Sequence, residues 1–264
     1  MELYLESETE SGIYAADRIL SIALDIAEKM LEKGAQVQRV EDTIVKICLA
    51  YGADQVEPFA ITSLVQATVR MPNGYHTTQL RRVYETNTDL TVLEKLVHLT
   101  DRVCKEKPSL DEVERTFQEI VAHRRNTLWM DFVGMPLGAG TLAGFFGGNL
   151  RDVLATAIIG LIVACLNLFL TRRVINPVAR TAINSFLSGL LAVLLCKVGL
   201  GEHVELVMMG TIMLFITGIL FGNALRDLLC GDLIAGMLKC LQAFIMAFAI
   251  AAGYSLAIFL GGLL

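Results

Sequence analysis

The sequence predicts an α+β cytoplasmic domain of order α-α-β-β-(β)-α-α over residues 14–125, followed by an all-α membrane domain of about five transmembrane helices over 126–264. Three observations carry this reading. Of 264 residues, 54% are hydrophobic and 19% charged, and the mean hydropathy is +0.57, too apolar for an ordinary soluble chain. The charge is uneven: residues 1–128 hold 15 Lys/Arg and 21 Asp/Glu, whereas 129–264 hold 7 and 6. The first half shows short helical and strand periodicities, and the second shows long apolar runs.

Residues 1–13 are acidic and lack an apolar centre, so they read as a disordered leader and not as a signal peptide. From Tyr14, Ile19, Ala23, Ile26 and Met30 form one helical stripe that Gly34 stops. Val37, Val40, Ile44, Ile47 and Tyr51 form a second, stopped by Gly52. The period then falls to two. Val65, Ala67, Val69 and Met71 alternate with polar residues, and Pro72-Asn73-Gly74 turns the chain into a strand from Tyr75 to about Tyr84. A further short strand is expected around Gln55 to Ile61. Leu90, Leu93, Val97, Thr100 and Cys104 line a third helix, and Ser109 with Glu112 forms a capping box for a fourth, lined by Val113, Phe117, Ile120 and Val121.

The apolar half divides into spans of about 129–148, 152–170, 183–200, 204–222 and 233–262, each long enough at 1.5 Å per residue for roughly 30 Å of hydrocarbon. Gly134, Gly138, Gly140, Gly144 and Gly148 make a small-residue ridge suited to close helix packing. Pro136 is placed to break the first span. Arg124, Arg125, Arg172, Arg173, Arg180, Arg226 and Lys239 fall in alternate connections, whereas the connection Gly201 to Glu205 is acidic. The positive-inside rule thus puts the N-terminal domain in the cytoplasm and the C-terminus outside, with Arg151 the exception and Lys197 able to snorkel.

Much of the known chemistry is excluded. No phosphate-binding GxxxxGK[ST] loop, HExxH or GxSxG occurs, so the chain reads as no enzyme of those classes and no ATP-driven pump on its own. Nothing basic enough for nucleic acid is present at a net charge of −5. The histidines His76, His98 and His123 are isolated. Six cysteines form no CxxC pair, so neither a disulfide framework nor a metal site is implied, and no cofactor.

The polar exception lies between the last two apolar runs. Asn223, Arg226, Asp227, Asp232, Lys239 and Gln242 crowd into twenty residues at the edge of hydrocarbon, where ionisable groups cost a few kcal/mol each. On a helix Asn223, Arg226 and Asp227 share a face; Gly231 is placed to end that helix and Asp232 to cap the next, whose first turns carry Gly236, Lys239 and Gln242 as a stripe. The bland alternative is a solvated turn. Arg39-Val40-Glu41-Asp42, at the start of the second helix, is the most suggestive group in the N-terminal domain. Phe146 to Asp152 also echoes Phe221 to Asp227, and internal repeats occur in transporters.

Gly34-Ala35-Gln36-Val37-Gln38-Arg39-Val40-Glu41-Asp42, followed by Asn223-Ala224-Leu225-Arg226-Asp227 through Gly231-Asp232 and Gly236, resembles the threonine/serine exporter family. It is most similar to the longer subunit of the family's split form, which works with a short second membrane protein. The resemblance implies secondary export of small polar metabolites, threonine and serine in single-chain members and succinate in a split one. It departs at Thr217-Gly218, where the family often has Pro-Gly, and at Lys239 and Gln242, where it has Arg and Glu. The departure at Gln242 removes a carboxylate that a proton-coupling role there would need.

Three functions follow as expectations. As a transport subunit in the inner membrane, the chain would hold a substrate carboxylate with Arg226 and Lys239, use Asp227 or Asp232 for an ammonium group or a proton, and use Asn223 for neutral hydrogen bonds. Its partners would be the bilayer, a small-molecule substrate, a small membrane protein and, in an oligomer, further copies. As a membrane-tethered enzyme or sensor it would act through the cytoplasmic domain. As a structural partner it would leave substrate binding to its companion.

Overall fold

The computed structural model describes residues 2–84, 86–122, 128–173, 176–216 and 218–263, with backbone alone for 2–13, 128, 130, 171, 172 and 263. His123, Arg124, Arg125 and Thr217 lie outside the described residues. The chain forms two compact units, Met1–Arg124 with Leu220–Cys240, and Arg125–Ile219 with Leu241–Leu264.

The first unit begins with α1 (Glu2–Glu32) and α2 (Val37–Ala50). Helix α1 starts well before Tyr14, so the residues expected as a disordered leader are helical in backbone. Its stripe of Ile19, Ala23, Ile26 and Met30 is buried as the spacing requires, as are Val37, Val40, Ile44 and Ile47 of α2. Strands β1 (Gln55–Ile61), β2 (Leu64–Arg70) and β3 (His76–Arg82) form an antiparallel meander in that order. Val65, Ala67 and Val69 of the central strand are buried in the same apolar cluster as α1 and α2. Arg81 Nε donates to Asp25 at 2.6 Å and Gln79 to the Asp17 carbonyl at 2.9 Å, tying β3 to α1.

Helices α3 (Leu90–Glu106) and α4 (Leu110–Ala122) complete the N-terminal part. The buried face of α3 is Val92, Leu93, Leu96, Leu99, Thr100 and Val103, rotated from the expected one, and Leu90 is exposed. Two stripes compete on this helix, and the one with the more continuous aliphatic surface is buried. In α4, Val113 and Phe117 are buried, but Val121 is exposed. Only half of the expected capping box forms: Glu112 N–H faces Ser109 Oγ at 3.4 Å, while the Glu112 carboxylate accepts from Arg102 at 2.6 Å.

The second unit contains α5 (Leu128–Phe145), α6 (Leu150–Arg173), α7 (Pro177–Lys197), α8 (Val204–Ile212) and the larger part of α10 (Leu233–Leu263). Among the described residues, three helices are long and apolar enough to cross a membrane: Leu150–Leu170, Pro177–Lys197 and Leu233–Gly262. The span expected over 204–222 is not one helix. Helix α8 stops at Ile212, where Leu214 and Phe215 N–H turn back three residues to Thr211 and Ile212, and α9 (Gly218–Cys230) follows.

Pro136 does not break α5, which is continuous across it; Pro136 lies against Gly160 of α6, where an added Cβ would come within 3.0 Å of the Pro136 Cα. The glycine ridge divides by role. Gly140 and Gly144 meet Val153 of α6 at 3.2 and 3.3 Å from an added Cβ, whereas nothing lies within 4 Å at Gly134 and only Leu214 lies within that distance, at 3.8 Å, at Gly138. Gly148 is pressed against its own helix end at the Ala143 carbonyl.

A buried carboxylate fastens one end of this unit. Asp152, in the first turn of α6, is fully buried. It accepts from Asn149 N–H at 3.1 Å, from Glu202 N–H at 2.7 Å and His203 N–H at 3.0 Å, and it faces His203 Nδ1 at 3.0 Å. Arg151 pairs with Glu202 at 2.8 Å, which neutralises the residue that broke the positive-inside pattern. Lys197 donates to the Gly261 carbonyl at 3.0 Å, so α7 and α10 finish at the same end. The Arg151-Asp152 pair opens a helix whereas Arg226-Asp227 closes one, so the sequence echo is not repeated in structure.

The His203 pKa lies above its ordinary 6.5, raised chiefly by its hydrogen bond to Asp152. A raised pKa means that the folded state favours the imidazolium. Its stabilisation is complete below pH 6.5 and is lost as the pH rises through the raised value. Hydrogen exchange at the Glu202 and His203 amides should therefore speed up from pH 6 to 9 beyond the intrinsic base-catalysed increase. In His203→Gln that excess should vanish.

Candidate functional site

The polar stretch forms a helical hairpin within the first unit. Helix α9 ends at Gly231, which has φ +97°. Gly231 N–H bonds the Leu228 carbonyl at 3.3 Å and Asp232 N–H the Asp227 carbonyl at 2.9 Å, closing the last turn with a left-handed residue that glycine adopts without Cβ strain. Asp232 then precedes α10, and its carbonyl accepts the Gly236 N–H at 2.9 Å. At Gly236 an added Cβ would sit 2.6 Å from Leu228 Cγ. The two helices can lie this close only because that position carries no side chain.

At the centre of the hairpin Lys239 Nζ of α10 donates to Asp227 Oδ2 of α9 at 2.6 Å, with the two side chains 9% and 2% exposed. Buried charges require such pairing, since loss of one partner leaves the other desolvated and uncompensated. Asn223 lies one turn before Asp227 on the same face, and its Nδ2 donates to the Gly34 carbonyl at 3.3 Å. Gly34 closes α1 with the same backbone motif, at φ +89°, its N–H bonding the Leu31 carbonyl and the Ala35 N–H the Met30 carbonyl. Ala235 of α10 is buried in the apolar cluster that contains Ala35, Val37 and Val40. The two motifs, nearly two hundred residues apart in the chain, thus meet.

Glu41 contributes a carboxylate to this junction. Its Oε1 accepts the Ala60 N–H at 2.8 Å, which ties α2 to β1. Burial pushes its pKa up, and the nearby Asp232 and Asp42 carboxylates push the same way. Arg39, two residues earlier, is exposed.

The expected residues therefore separate. Asn223, Asp227 and Lys239 form a connected buried or half-buried core, and Asp232 stands near Glu41. Arg226, next to Asp227 on α9, is exposed with no partner among the described residues, and Gln242 is exposed one turn beyond Lys239. Sequence reasoning grouped Arg226 with Asp227, whereas the structure pairs Asp227 with Lys239, twelve positions on. It missed the Gly34 carbonyl and Ala235 altogether, because neither a backbone oxygen nor an alanine carries a recognisable signal. The Asp152 cluster was marked only by Arg151 standing where a positive charge was not expected.

Apolar helices long enough for a bilayer, together with a buried charge pair in a glycine-turned hairpin, fit a multi-pass membrane protein of the transporter class. The sequence profile of the threonine/serine exporter family, ThrE, matches residues 21–261, and the chain belongs to that family. It is 21% identical over 248 residues to a Klebsiella aerogenes protein named "Probable succinate transporter subunit YjjP", covering 93% of this chain and 95% of that one. Family and relative are transporters and not enzymes. No solved structure matches.

Asp227→Asn should destabilise the protein by about 3–5 kcal/mol, the cost of leaving a buried cation unpaired. The double variant Asp227→Asn/Lys239→Gln should recover most of that loss. Denaturant unfolding in detergent micelles checks both.

Proposed function

We propose that this chain is one subunit of a secondary-active inner-membrane exporter of small polar metabolites bearing a carboxylate, of the threonine/serine or the succinate kind. It works with a small membrane-protein partner. The N-terminal domain of about 14–125 is cytoplasmic, the chain from about 126 crosses the membrane five times and the C-terminus lies outside. Family membership supports export, and the name of the Klebsiella relative supports a multi-subunit carrier.

The observation that carries the site assignment is the buried Asp227–Lys239 pair beside an exposed Arg226 that has no partner among the described residues. A substrate carboxylate meets the planar Arg226 guanidinium, whose fork matches two carboxylate oxygens. It then competes with Asp227 for Lys239, and the Asp227 carboxylate so released takes up the substrate ammonium or a proton. Asn223 and Asp232 offer the remaining polar contacts, and Gln242 lines the next turn. Glu41, with Arg39 at the same helix start, couples the hairpin to the cytoplasmic domain through the Gly34 junction.

Efflux of threonine, serine and succinate from loaded cells tests this reading, with the chain expressed alone and beside its partner. Export of one of them that requires the partner is the expected result. Arg226→Ala should cut it by about tenfold or more, the value of a charged hydrogen bond, without changing the amount of protein in the membrane. Undiminished efflux in that variant overturns the assignment of Arg226.

A further inference from the structure

The second unit holds a polar cluster that the site above does not use. Asn184, Ser185 and Ser188 lie together on α7, Thr211 in the last turn of α8 and Tyr254 on α10, and all are at least nine-tenths buried. The helices are pressed together there. A Cβ added at Gly253 would come within 2.9 Å of Ser185 Cβ, and one at Gly189 within 2.9 Å of the Tyr254 ring.

Three of the four hydroxyl protons of this cluster are committed. Tyr254 donates to Thr211 Oγ1 at 2.9 Å, Thr211 to the Met208 carbonyl at 2.9 Å and Ser188 to the Asn184 carbonyl at 2.7 Å. Two side-chain oxygens are left open, one of them a hydroxyl. Asn184 Oδ1 and Ser185 Oγ are buried with no partner among the described residues. Buried polar atoms normally find a partner, and orphaned ones in an otherwise closed packing call for an explanation.

Helix α8 adds a second, independent observation. It ends at Ile212, one residue beyond Thr211, and the C-terminal end of a helix carries partial negative charge from its carbonyls. Open neutral oxygens and a negative helix end, with no charged side chain in the cluster, fit a singly charged group that brings positive charge. They do not fit an anion, and a divalent ion would want carboxylate ligands.

We propose that Asn184 Oδ1, Ser185 Oγ and the Ser188–Tyr254–Thr211 oxygens bind a monovalent cationic group, either the ammonium of an amino-acid substrate or a coupling alkali cation. This rests on the exporter reading but concerns a different set of residues from the Asp227–Lys239 hairpin. The two sources share one coordination chemistry, and the substrate decides between them, since succinate brings no ammonium.

Thermal unfolding of the purified full-length chain with its partner tests the proposal without requiring transport. Melting is followed in sodium chloride against choline chloride at equal ionic strength, and with L-serine or succinate added in choline. A stabilising response to sodium identifies a coupling cation, and one to L-serine but not succinate identifies a substrate ammonium. Asn184→Ala and Ser185→Ala should weaken that response at least about tenfold in apparent affinity, and Tyr254→Phe should weaken it less. No response to sodium or serine in the wild-type complex overturns the proposal, whatever the efflux assay gives. So does an undiminished response in Asn184→Ala and Ser185→Ala. Failure of efflux alone, with the response intact, would instead count against the exporter reading.

Discussion

A buried ion pair tolerates little freedom in the elements that carry it. Asp227 and Lys239 face each other at 2.6 Å with almost no exposure, so water cannot relieve a mismatch and each charge depends on the other for compensation. Helices α9 and α10 must therefore run back to back, and the turn between them must be short and sharp. Gly231 supplies the left-handed turn and Gly236 the close approach to Leu228. Together they account for why glycines flank this charged segment. The same orientation turns Asn223 to the Gly34 carbonyl and Ala235 into the apolar core, so the pair also fixes how the hairpin joins its unit.

Local signals were legible where one residue decides the outcome. Gly34, Gly52 and Gly231 end helices at positive φ, and the alternating Val65, Ala67 and Val69 form the buried face of the central strand. The face of α3 was misread because its sequence offers two stripes of similar spacing, and only the surface it meets selects Val92, Leu96, Leu99 and Val103. Pro136 read as a breaker, yet the missing hydrogen bond is tolerated in a continuous helix seated against Gly160. Hydropathy ran smoothly through 204–222 and gave no hint that the helix stops at Ile212. In the candidate site the residue types were legible and the pairing was not. Helical spacing puts Asn223, Arg226 and Asp227 on one broad face, but which of them turns inward depends on what the hairpin packs against.

Asp152 and Asp227 show two ways to keep a carboxylate out of water, and the difference bears on what each can do. Asp152 is satisfied by three backbone N–H groups and the His203 ring, donors held in place by the fold. Such a carboxylate acts as a rivet: it joins the start of α6 to the connection before α8 and has no free valence for a ligand. Asp227 depends instead on one side chain with a long flexible stem. A lysine ammonium has three donors and can exchange one carboxylate for another without moving the backbone. The fixed arrangement suits structure, and the exchangeable one suits a site that must alternately hold and release an anion.

Charge balance also explains why the neutral cluster on α7, α8 and α10 belongs to a different task from the hairpin. In the hairpin the positive charges match an anion, and the competing internal anion prevents an empty site from stranding a cation. Asn184, Ser185, Ser188, Thr211 and Tyr254 carry no charge, so they can stay buried when empty at the modest cost of two unpartnered oxygens. A carboxylate in their place would need a permanent counter-ion, which would then occupy the site. A monovalent cationic group is the ligand for which an uncharged set of oxygens is the least costly arrangement in both the empty and the filled state. Amino acids carry both charges and dicarboxylates only one. On the two proposals above, the occupancy of these neutral oxygens would thus follow substrate class, whereas the carboxylate contacts proposed for Arg226 and Lys239, common to both, would not.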